Sequence, residues 1–397
     1  MKPLALSAFT ATSCLGRGLD ATLAALEGER TGLAPCAFET VQLATCVGEV
    51  PGVDDERLPA ELGEFECRNN RLALLGLRQD GFEATVRSLA RRLGAKRIGV
   101  WLGTSTSGIL ETELAYRRRD AASGALPEDF RYRGAHNTFS LAAFVQRALG
   151  LEGPAAVISS ACSSSAKVFA SARRAIEAGL VDAAVVGGVD SLCLTTLYGF
   201  HSLQLVARAP CRPFDAARDG LSIGEAAAFA LLERAVARPS ADAVLLLGTG
   251  ESSDAWHMSA PHPEGRGASA AMTQALLAAH LAPADIDYIN FHGTGTPSND
   301  AAEARAVAAV LGAGTPGSST KGATGHTLGA AGGLEAVICA LALRHGLMPG
   351  GVGTRVPDPE LSVSYLLGNR RAPLKHAMSN SFGFGGSNCS LIFGRAG

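Results

Sequence analysis

Cys162 stands where an apolar run ends and a helical pattern begins, in the segment Ile-Ser-Ser-Ala-Cys-Ser-Ser-Ser-Ala. A cysteine at such a strand-to-helix junction lies at a helix N-terminus, where the dipole and free N–H groups favour the thiolate and lower the pKa of the thiol. The amides that follow are also placed to hold an oxyanion. A lone cysteine is more often buried and inert, so a catalytic role requires partners elsewhere in the chain.

Two histidines are candidate partners. His292 follows the strand-like run 288–291, and His326 stands just before an Ala-rich helical pattern. Ligand sites in parallel α/β sheets gather at the carboxyl ends of strands. The alternatives are loop histidines bonded to backbone and a two-histidine metal site. The sequence has no HExxH motif and no carboxylate at ligand spacing, which disfavours a metal.

Lys321 and Glu335 flank His326 in the sequence. Glu335 falls among apolar residues of the Ala-rich stretch, and a buried acid there must be paired. We therefore expect a Lys321–Glu335 pair, with Lys321 at a strand end orienting His326 or donating charge. The alternative is an acid on an exposed helix face.

The glycine-rich run 380–388 is expected to bring backbone close to a ligand, and Phe384, flanked by glycines, is positioned to act as a gate. The alternative is a hairpin turn before the last strand. Together, one cysteine and two histidines suit a condensation in which the cysteine takes an acyl group as thioester. The histidines would stabilise an enolate formed by loss of CO₂ from a second thioester. A cysteine protease would need one histidine with an Asn or Asp.

Composition narrows the classes of protein. The chain has 397 residues, 35 basic and 37 acidic side chains and a net charge of -2, which gives no electrostatic footprint for nucleic acid. Nine scattered cysteines without paired CxxC motifs indicate reduced thiols in a cytoplasmic protein rather than a disulfide scaffold or zinc site. Polar residues interrupt the N-terminal apolar stretch, so we expect a strand at Leu4–Ala8 rather than a signal peptide. No apolar run is expected to reach the ~18 residues of a membrane helix.

The elements that must position these residues alternate between strands and helices, which predicts an α/β fold. Each half has a helix that starts just after a small-residue turn, one after ISSACSSSA and one after KGATGHTLGAAGG. This suggests two similar halves, 1–240 with the cysteine and 241–397 with both histidines. The boundary is placed in the polar segment 237–243. The predicted strands are 98–103, 155–161, 182–188, 243–248, 288–293 and 387–394; the predicted helices are 163–179, 266–281, 300–311 and 327–345.

Over essentially its whole length, the chain resembles the elongating β-ketoacyl-acyl carrier protein synthases of the thiolase superfamily. The resemblance rests on a set of motifs whose order and spacing agree with that family. They are Ala161-Cys162-Ser163, GGVDSL (187–192), CRPFDAARDGLSIGE (211–225), SDAWHMSAPHPEG (253–265), HGTGTPSND (292–300), KGATGHTLGAAGGLEA (321–336) and NSFGFGGSN (380–388).

The resemblance implies a five-layer αβαβα fold of two similar halves, and roles for individual residues. Cys162 would be the acylated nucleophile, with the amides of Cys162 and Phe384 forming the oxyanion hole. His292 and His326 would serve decarboxylation and enolate stabilisation, supported by Lys321 with Glu335 behind it. Thr294 and Thr296 would contact the pantetheine arm. Thr106 and Phe200 would line the acyl pocket near the dimer interface, gated by Phe384. No cofactor is implied beyond the phosphopantetheine that carries the substrates.

The implied partners are an acyl carrier protein and a second synthase-like chain, in a homodimer or heterodimer. A chain active only beside a chain-length-factor partner, or a non-catalytic partner, is the alternative, although such partners replace the cysteine. A degradative thiolase would carry a second catalytic cysteine in a Cys-x-Gly context, which Cys389 lacks. The polar segment 103–108 departs from housekeeping enzymes and favours a specialised pathway, including those for aryl polyene pigments.

Overall fold

The computed structural model of the protein describes residues 2–237 and 239–396. Its strands are β1 Leu4–Ser13, β2 Gly16–Arg17, β3 Ala34–Pro35, β4 Cys46–Gly48, β5 Ile98–Gly103, β6 Ala155–Ile158, β7 Ala183–Asp190, β8 Ile223–Gly224, β9 Ala226–Arg234, β10 Val244–Ser253, β11 Tyr288–Asn290, β12 Pro316–Ser318, β13 Leu347–Met348, β14 Ser364–Tyr365, β15 Arg370–Arg371, β16 His376–Gly383 and β17 Ser387–Arg395. Its α-helices are α1 Gly18–Glu27, α2 Arg68–Leu77, α3 Phe82–Leu93, α4 Ile109–Arg117, α5 Ser140–Leu149, α6 Ser164–Glu177, α7 Leu194–Ser202, α8 Arg266–Ala279, α9 Pro297–Val310, α10 Lys321–Thr324 and α11 Ala331–His345.

One large sheet repeats the same arrangement twice. The N-terminal half has the order β6-β5-β7-β9-β1, and the C-terminal half has the order β12-β11-β16-β17-β10, with β14 added at its edge. If the five strands of each half are counted along the chain, both halves place them across the sheet in the same order: third, second, fourth, fifth and first. The halves meet where Leu4 and Ala5 of β1 pair with Leu246 and Leu245 of β10. The expectation of two similar halves is therefore confirmed.

Strand direction is also the same in both halves. β6, β5 and β7 are parallel, as are β12, β11 and β16. The two strands that complete each half, β9 with β1 and β17 with β10, are antiparallel. The parallel strands end at the same edge of each half-sheet, so loops that carry Cys162 and His292 are brought to the carboxyl ends of strands.

Three layers of helices alternate with the two half-sheets, which gives five layers in all. α6 and α11 lie between the half-sheets, in one apolar core with residues of both. Residues 331–343 of α11 are all buried, as expected of a helix that is apolar all round. By contrast, α3 buries only Phe82, Val86 and Leu89 along one stripe, and it lies with α2 and α5 on the outer face of the N-terminal half. α8 and α9 cover the outer face of the C-terminal half.

A glycine allows the two central helices to approach each other. A Cβ on Gly332 of α11 would lie 2.6 Å from the backbone nitrogen of Ala166 in α6. Such a contact is closer than real side chains tolerate, so only glycine fits there.

The expectation that no apolar run is long enough for a membrane helix needs correction. By length and composition alone, the 18-residue stretch Leu328–His345 is apolar enough to cross a membrane, contrary to the sequence expectation. Of this stretch, 89% is buried inside the protein, where α11 shares the central layer with α6.

The predicted boundary 237–243 falls between β9 and β10, but its Arg238 lies outside the described residues. The division into 1–240 and 241–397 therefore stays a prediction.

Candidate active site

Cys162 lies on a tight turn between β6 and α6. Ala161 has a left-handed backbone (φ 53°), and α6 begins two residues after the cysteine, at Ser164. Serine hydroxyls close the turn locally. Ser163 Oγ donates to the Ser160 carbonyl at 2.9 Å, and Ser164 Oγ donates to the Ala161 carbonyl at 2.5 Å. The predicted position at the start of a helix is confirmed.

The resting state of this sulfur differs from the sequence expectation. Burial raises the pKa of the Cys162 thiol to about 11. The charge of Lys321 and the backbone N–H groups of Phe384 and Cys162 act in the opposite direction, but they do not outweigh burial. The prediction of a lowered thiol pKa was therefore wrong, although the predicted amide donors do face the sulfur.

His326 is in direct contact with the sulfur. Its Nε2 lies 3.0 Å from Cys162 Sγ, and its Nδ1 accepts the backbone N–H of Leu328 at 3.3 Å. With Nδ1 acting as an acceptor, the network assigns the proton of the neutral ring to Nε2. His326 therefore presents an N–H donor to the reaction centre.

His292 completes the group from the loop after β11. Its ring lies 5.2 Å from the His326 ring, edge to face. Burial lowers the pKa of both histidines well below the usual value, and the charge of Lys321 lowers both further. Both rings are therefore neutral near pH 7 and suited to donate hydrogen bonds to an anionic oxygen.

Lys321 and Glu335 form the predicted ion pair, with Lys321 Nζ bonded to Glu335 Oε1. Both side chains are buried, 1% and 3% exposed. Burial raises the pKa of Glu335 to about 7, and the Lys321 charge opposes that rise. Lys321 starts the short helix α10 rather than standing at a strand end. Its effect on the histidines is through charge, since no hydrogen bond among the described residues joins it to either ring.

Two acids that sequence reasoning left unassigned hold the His292 loop in place. Glu303 accepts the backbone N–H groups of His292 at 2.8 Å and Gly293 at 2.7 Å. Asp300 accepts the N–H of Thr294 at 3.0 Å. Burial raises the pKa of Glu303 to about 7. The signal in the sequence was the pair of acids in the first turns of a helix that directly follows the histidine loop.

A cavity opens onto the cysteine and both histidines. Phe200 and Phe384 lie on its wall with ring centroids 5.4 Å apart, and Thr294 and Thr296 also line it, with their hydroxyls 2.8 Å apart. Its complete lining is Cys162, Phe200, Leu205, Leu221, Asp254, Ser259, Ala260, Pro261, His292, Thr294, Thr296, Ser298, Asn299, His326, Phe382, Gly383, Phe384 and Asn388.

Thr106 does not line this cavity of the single chain, and its place in an acyl pocket near the dimer interface stays a prediction. It is 1% exposed, and its hydroxyl donates to the carboxylate of Asp190 at 2.9 Å. Three hydroxyls of the segment 103–108, those of Thr104, Ser105 and Thr106, donate to this buried acid. This interaction explains the polar character of the segment, and the sequence alone did not predict it.

The Phe384 loop is joined to a second loop at the mouth of the cavity. The backbone N–H of Gly385, which has φ 78°, donates to the Met258 carbonyl at 2.8 Å. The N–H of Asp254 donates to the Gly386 carbonyl at 2.8 Å, and Asn388 Nδ2 donates to Asp254 Oδ1 at 2.8 Å. The second loop lies in the motif SDAWHMSAPHPEG (253–265), but the sequence did not single out Asp254 as a functional residue.

Cys162, His292 and His326 each offer a ligand atom, and these atoms lie within 4.8 Å of one another. Thiolate and imidazole are donors that zinc accepts. Against this, a buried Lys321 ammonium close enough to lower both histidine pKa values also repels a cation. That no metal is used stays a prediction.

Comparison with known proteins agrees with this geometry. Residues 78–237 match the family model described as Beta-ketoacyl synthase, N-terminal domain, and residues 243–354 match Beta-ketoacyl synthase, C-terminal domain. The chain is 34% identical over 382 residues to 3-oxoacyl-[acyl-carrier-protein] synthase 2 of Mycobacterium bovis, covering 87% of this chain and 88% of the relative. It is 37% identical over 308 residues to Nodulation protein E of Rhizobium meliloti, covering 75% and 76%.

Solved structures share the whole fold. A chain of the ketosynthase ApeO in complex with its chain length factor ApeC, from Xenorhabdus doucetiae, superposes with a TM-score of 0.90 at 40% identity, covering 99% of this chain and 98% of that one. The ishigamide ketosynthase/chain length factor gives a TM-score of 0.89 at 26% identity over the full length of both chains. The predicted five-layer, thiolase-like fold is therefore confirmed.

Proposed function

The chain belongs to the β-ketoacyl synthase family, and on that premise we propose that it condenses an acyl thioester held on Cys162 with malonyl-acyl carrier protein. It is an acyltransferase of fatty acid or polyketide chain elongation. The observation that carries the proposal is the buried group of one thiol and two neutral imidazoles, with ligand atoms within 4.8 Å of one another. No cofactor takes part beyond the phosphopantetheine arm of the carrier.

The first half-reaction moves the acyl group onto the enzyme. Cys162 Sγ forms a bond to the thioester carbonyl carbon, and the carbonyl oxygen becomes an oxyanion. That oxyanion accepts hydrogen bonds from the backbone N–H groups of Cys162 and Phe384, which already face the sulfur. The bond to the carrier sulfur breaks, and the thiol proton leaves with that sulfur.

The second half-reaction uses the two histidines. The bond between the malonyl carboxylate and its methylene carbon breaks, CO₂ leaves, and the electron pair forms an enolate. The enolate oxygen accepts hydrogen bonds from His326 Nε2–H and from the His292 ring. The enolate carbon then attacks the acyl carbonyl, the bond to Cys162 breaks, and the β-ketoacyl product remains on the carrier. The released Cys162 thiolate takes up a proton to regain its resting state.

The cavity wall supports roles for the remaining residues. Thr294 and Thr296 present two hydroxyls on the wall of the cavity that also holds Cys162 and His292, which supports their contact with the pantetheine arm. Phe384 lines the same cavity as Cys162 and packs on Phe200, so its displacement would open space for an acyl chain. We assign Phe384 as the gate and Phe200 as part of the acyl pocket.

We further propose that the chain works in the cytoplasm as a heterodimer with a synthase-like partner, in a specialised pathway such as that of aryl polyene pigments. The likeness to a ketosynthase solved with its chain length factor, at 40% identity and a TM-score of 0.90, supports this assembly. A homodimer is the alternative. Cys162 and both histidines argue against a non-catalytic role for this chain.

Reconstitution tests the activity. The purified chain, alone and mixed with the product of a neighbouring synthase-like gene, is given an acyl-carrier primer and malonyl carrier. We expect CO₂ release and a β-ketoacyl product, with Cys162→Ala losing condensation and Cys36→Ala, a half-buried cysteine outside the site, retaining it. Full condensation by Cys162→Ala would refute the mechanism. Size-exclusion chromatography of the same mixtures separates a homodimer from a heterodimer.

A further inference from the structure

Asp190, the last residue of β7, is a fully buried carboxylate that the chemistry above does not use. Hydrogen bonds from Ser105 and Thr104 are the main interactions that offset its burial. Its two oxygens accept six hydrogen bonds, from Thr104 Oγ1 at 2.6 Å, Ser105 N at 2.8 Å, Ser105 Oγ at 2.5 Å, Thr106 N at 3.0 Å, Thr106 Oγ1 at 2.9 Å and Gly329 N at 2.6 Å.

Five of these bonds tie Asp190 to one loop, and the sixth reaches the turn between His326 and α11. In that turn Leu328 has φ 52°, a left-handed conformation that is strained for leucine and persists only where its surroundings hold it. Asp190 Oδ2 and Ser105 Oγ both accept the next N–H, that of Gly329. A Cβ on Gly329 would lie 2.8 Å from Asp190 Oδ2, so glycine permits the approach.

The strained turn decides which nitrogen of His326 carries the proton. Leu328 donates its N–H to His326 Nδ1, so the neutral ring keeps its proton on Nε2, 3.0 Å from Cys162 Sγ. If the turn relaxed, Nδ1 would lose that donor and the Nδ1–H tautomer would become populated. In that tautomer Nε2 is an acceptor and gives no hydrogen bond to an anionic oxygen.

We propose that Asp190 is a positioning residue for condensation, which holds the Leu328–Gly329 turn so that His326 donates from Nε2 to the enolate oxygen. The inference rests on the proposed function and deepens it. It also gives a purpose to the hydroxyl-rich segment at Thr104, Ser105 and Thr106, whose side chains all donate to this carboxylate.

The test compares Asp190→Asn and Ser105→Ala with Asp120→Asn. Asp120 is a matched control, because its carboxylate also accepts loop hydrogen bonds, from Ala122 and Ser123, but on the exposed surface. For each protein, in whichever assembly is active, three quantities are measured: acyl loading of Cys162, kcat and KM for malonyl-carrier decarboxylation, and the His326 tautomer by nitrogen-15 NMR of labelled histidine. His326→Gln assigns the resonance.

We expect wild-type His326 to be the Nε2–H tautomer and Asp190→Asn to show a mixture. Loss of an oxyanion donor costs on the order of 10²–10³ in kcat. The kcat for decarboxylation should therefore fall in proportion to the fraction of His326 that leaves the Nε2–H tautomer. KM and acyl loading should change about twofold or less, and Ser105→Ala should shift the same readouts to a smaller extent.

An unchanged kcat, or a lowered kcat with His326 still wholly Nε2–H, overturns the inference. If Asp190→Asn does not fold, Ser105→Ala decides by the same criteria. Failure of the proposed function would be seen separately, as absence of CO₂ release by the wild-type protein, and the tautomer comparison does not depend on activity.

Discussion

The turn that carries Cys162 and the turn that carries His326 occupy equivalent places in the two halves, but they are held in different ways. Each links a strand to a central helix, β6 to α6 and β12 to α11, and each contains a left-handed residue, Ala161 or Leu328. The Cys162 turn is closed by hydroxyls of its own serines, within four residues along the chain.

The His326 turn depends on distant residues. The His326 backbone N–H donates to the Ser222 carbonyl at 2.7 Å, its carbonyl accepts from Gly224, and Asp190 holds the Gly329 N–H. The residues of a buried ion pair, Lys321 and Glu335, flank this turn in the sequence. The nucleophile is therefore positioned by local sequence, whereas the histidine is positioned by the tertiary structure and should be more sensitive to changes elsewhere.

Breaking the ion pair beside the His326 turn should have the largest effect on stability and activity. Lys321→Met leaves Glu335 buried without its partner, and burial then raises the pKa of this acid with nothing from Lys321 to oppose it. Loss of one member of a buried pair costs about 3–5 kcal/mol of the free energy of unfolding. It also removes the Lys321 charge, which adds to burial in lowering both histidine pKa values, so condensation should be slowed. Chemical denaturation and CO₂ release measure the two effects.

The double variant Lys321→Met with Glu335→Leu separates the two effects, because it replaces the pair with apolar side chains of similar size. We expect it to regain most of the stability but not the activity. If the double variant condensed acyl chains at the wild-type rate, Lys321 would have no role beyond neutralising Glu335.

A substitution at Ala161 should have a smaller effect, and it tests the turn that carries Cys162. Ala161→Val places a β-branched side chain at φ 53°, which should cost roughly 2 kcal/mol of stability and slow alkylation of Cys162 by iodoacetamide. Ala161→Gly accommodates the same φ and is the control, with alkylation within about twofold of wild type. Equal behaviour of the two variants would contradict a strained turn at this position.

Sequence patterns predicted the parts of the site that local structure decides. Cys162 and His292 were placed at strand ends because apolar runs stop just before them, and β5, β7 and α6 were predicted within two residues of their observed ends. The pairing of Lys321 with Glu335 followed from the cost of burying an acid in an apolar helix.

The predictions that were incomplete or wrong involve interactions between distant segments. Asp190 binds loops far from it in the sequence, which leaves no local signal, whereas Glu303 could have been found from its place in the helix directly after the His292 loop. The hydrogen bond from the Thr106 hydroxyl to Asp190 could not be predicted, because the two residues are far apart in the sequence. The direction of the Cys162 pKa was wrong because burial, which a sequence does not give, outweighs the helix N-terminus. The helix predicted from residue 327 begins at Ala331, because Leu328 adopts a left-handed backbone.

The smallest expected effect concerns stability against pH. His292 and His326 have pKa values well below 6.5 in the folded protein, so between pH 7.5 and 5.5 only the unfolded chain takes up protons at these positions. Each histidine should therefore lower the free energy of unfolding by about 1.4 kcal/mol as pH falls through that window. Glu303 and Glu335 act in the opposite sense, because burial raises their pKa values to about 7 in the folded protein. As pH rises from 4.5 to 7, the unfolded chain releases these protons first, so the free energy of unfolding falls.

Single substitutions isolate the histidine contribution from that of the acids. His292→Gln and His326→Gln should each remove about 1.4 kcal/mol of the pH-dependent change, measured by urea denaturation at pH 7.5 and 5.5. His345→Gln, at the exposed end of α11, should leave the change as in wild type. Because the His326 turn depends on tertiary contacts, His326→Gln should also lower stability at pH 7.5 more than His292→Gln does. The reverse order would mean that the Glu303-bound His292 loop, and not the His326 turn, is the part of the site most dependent on distant residues.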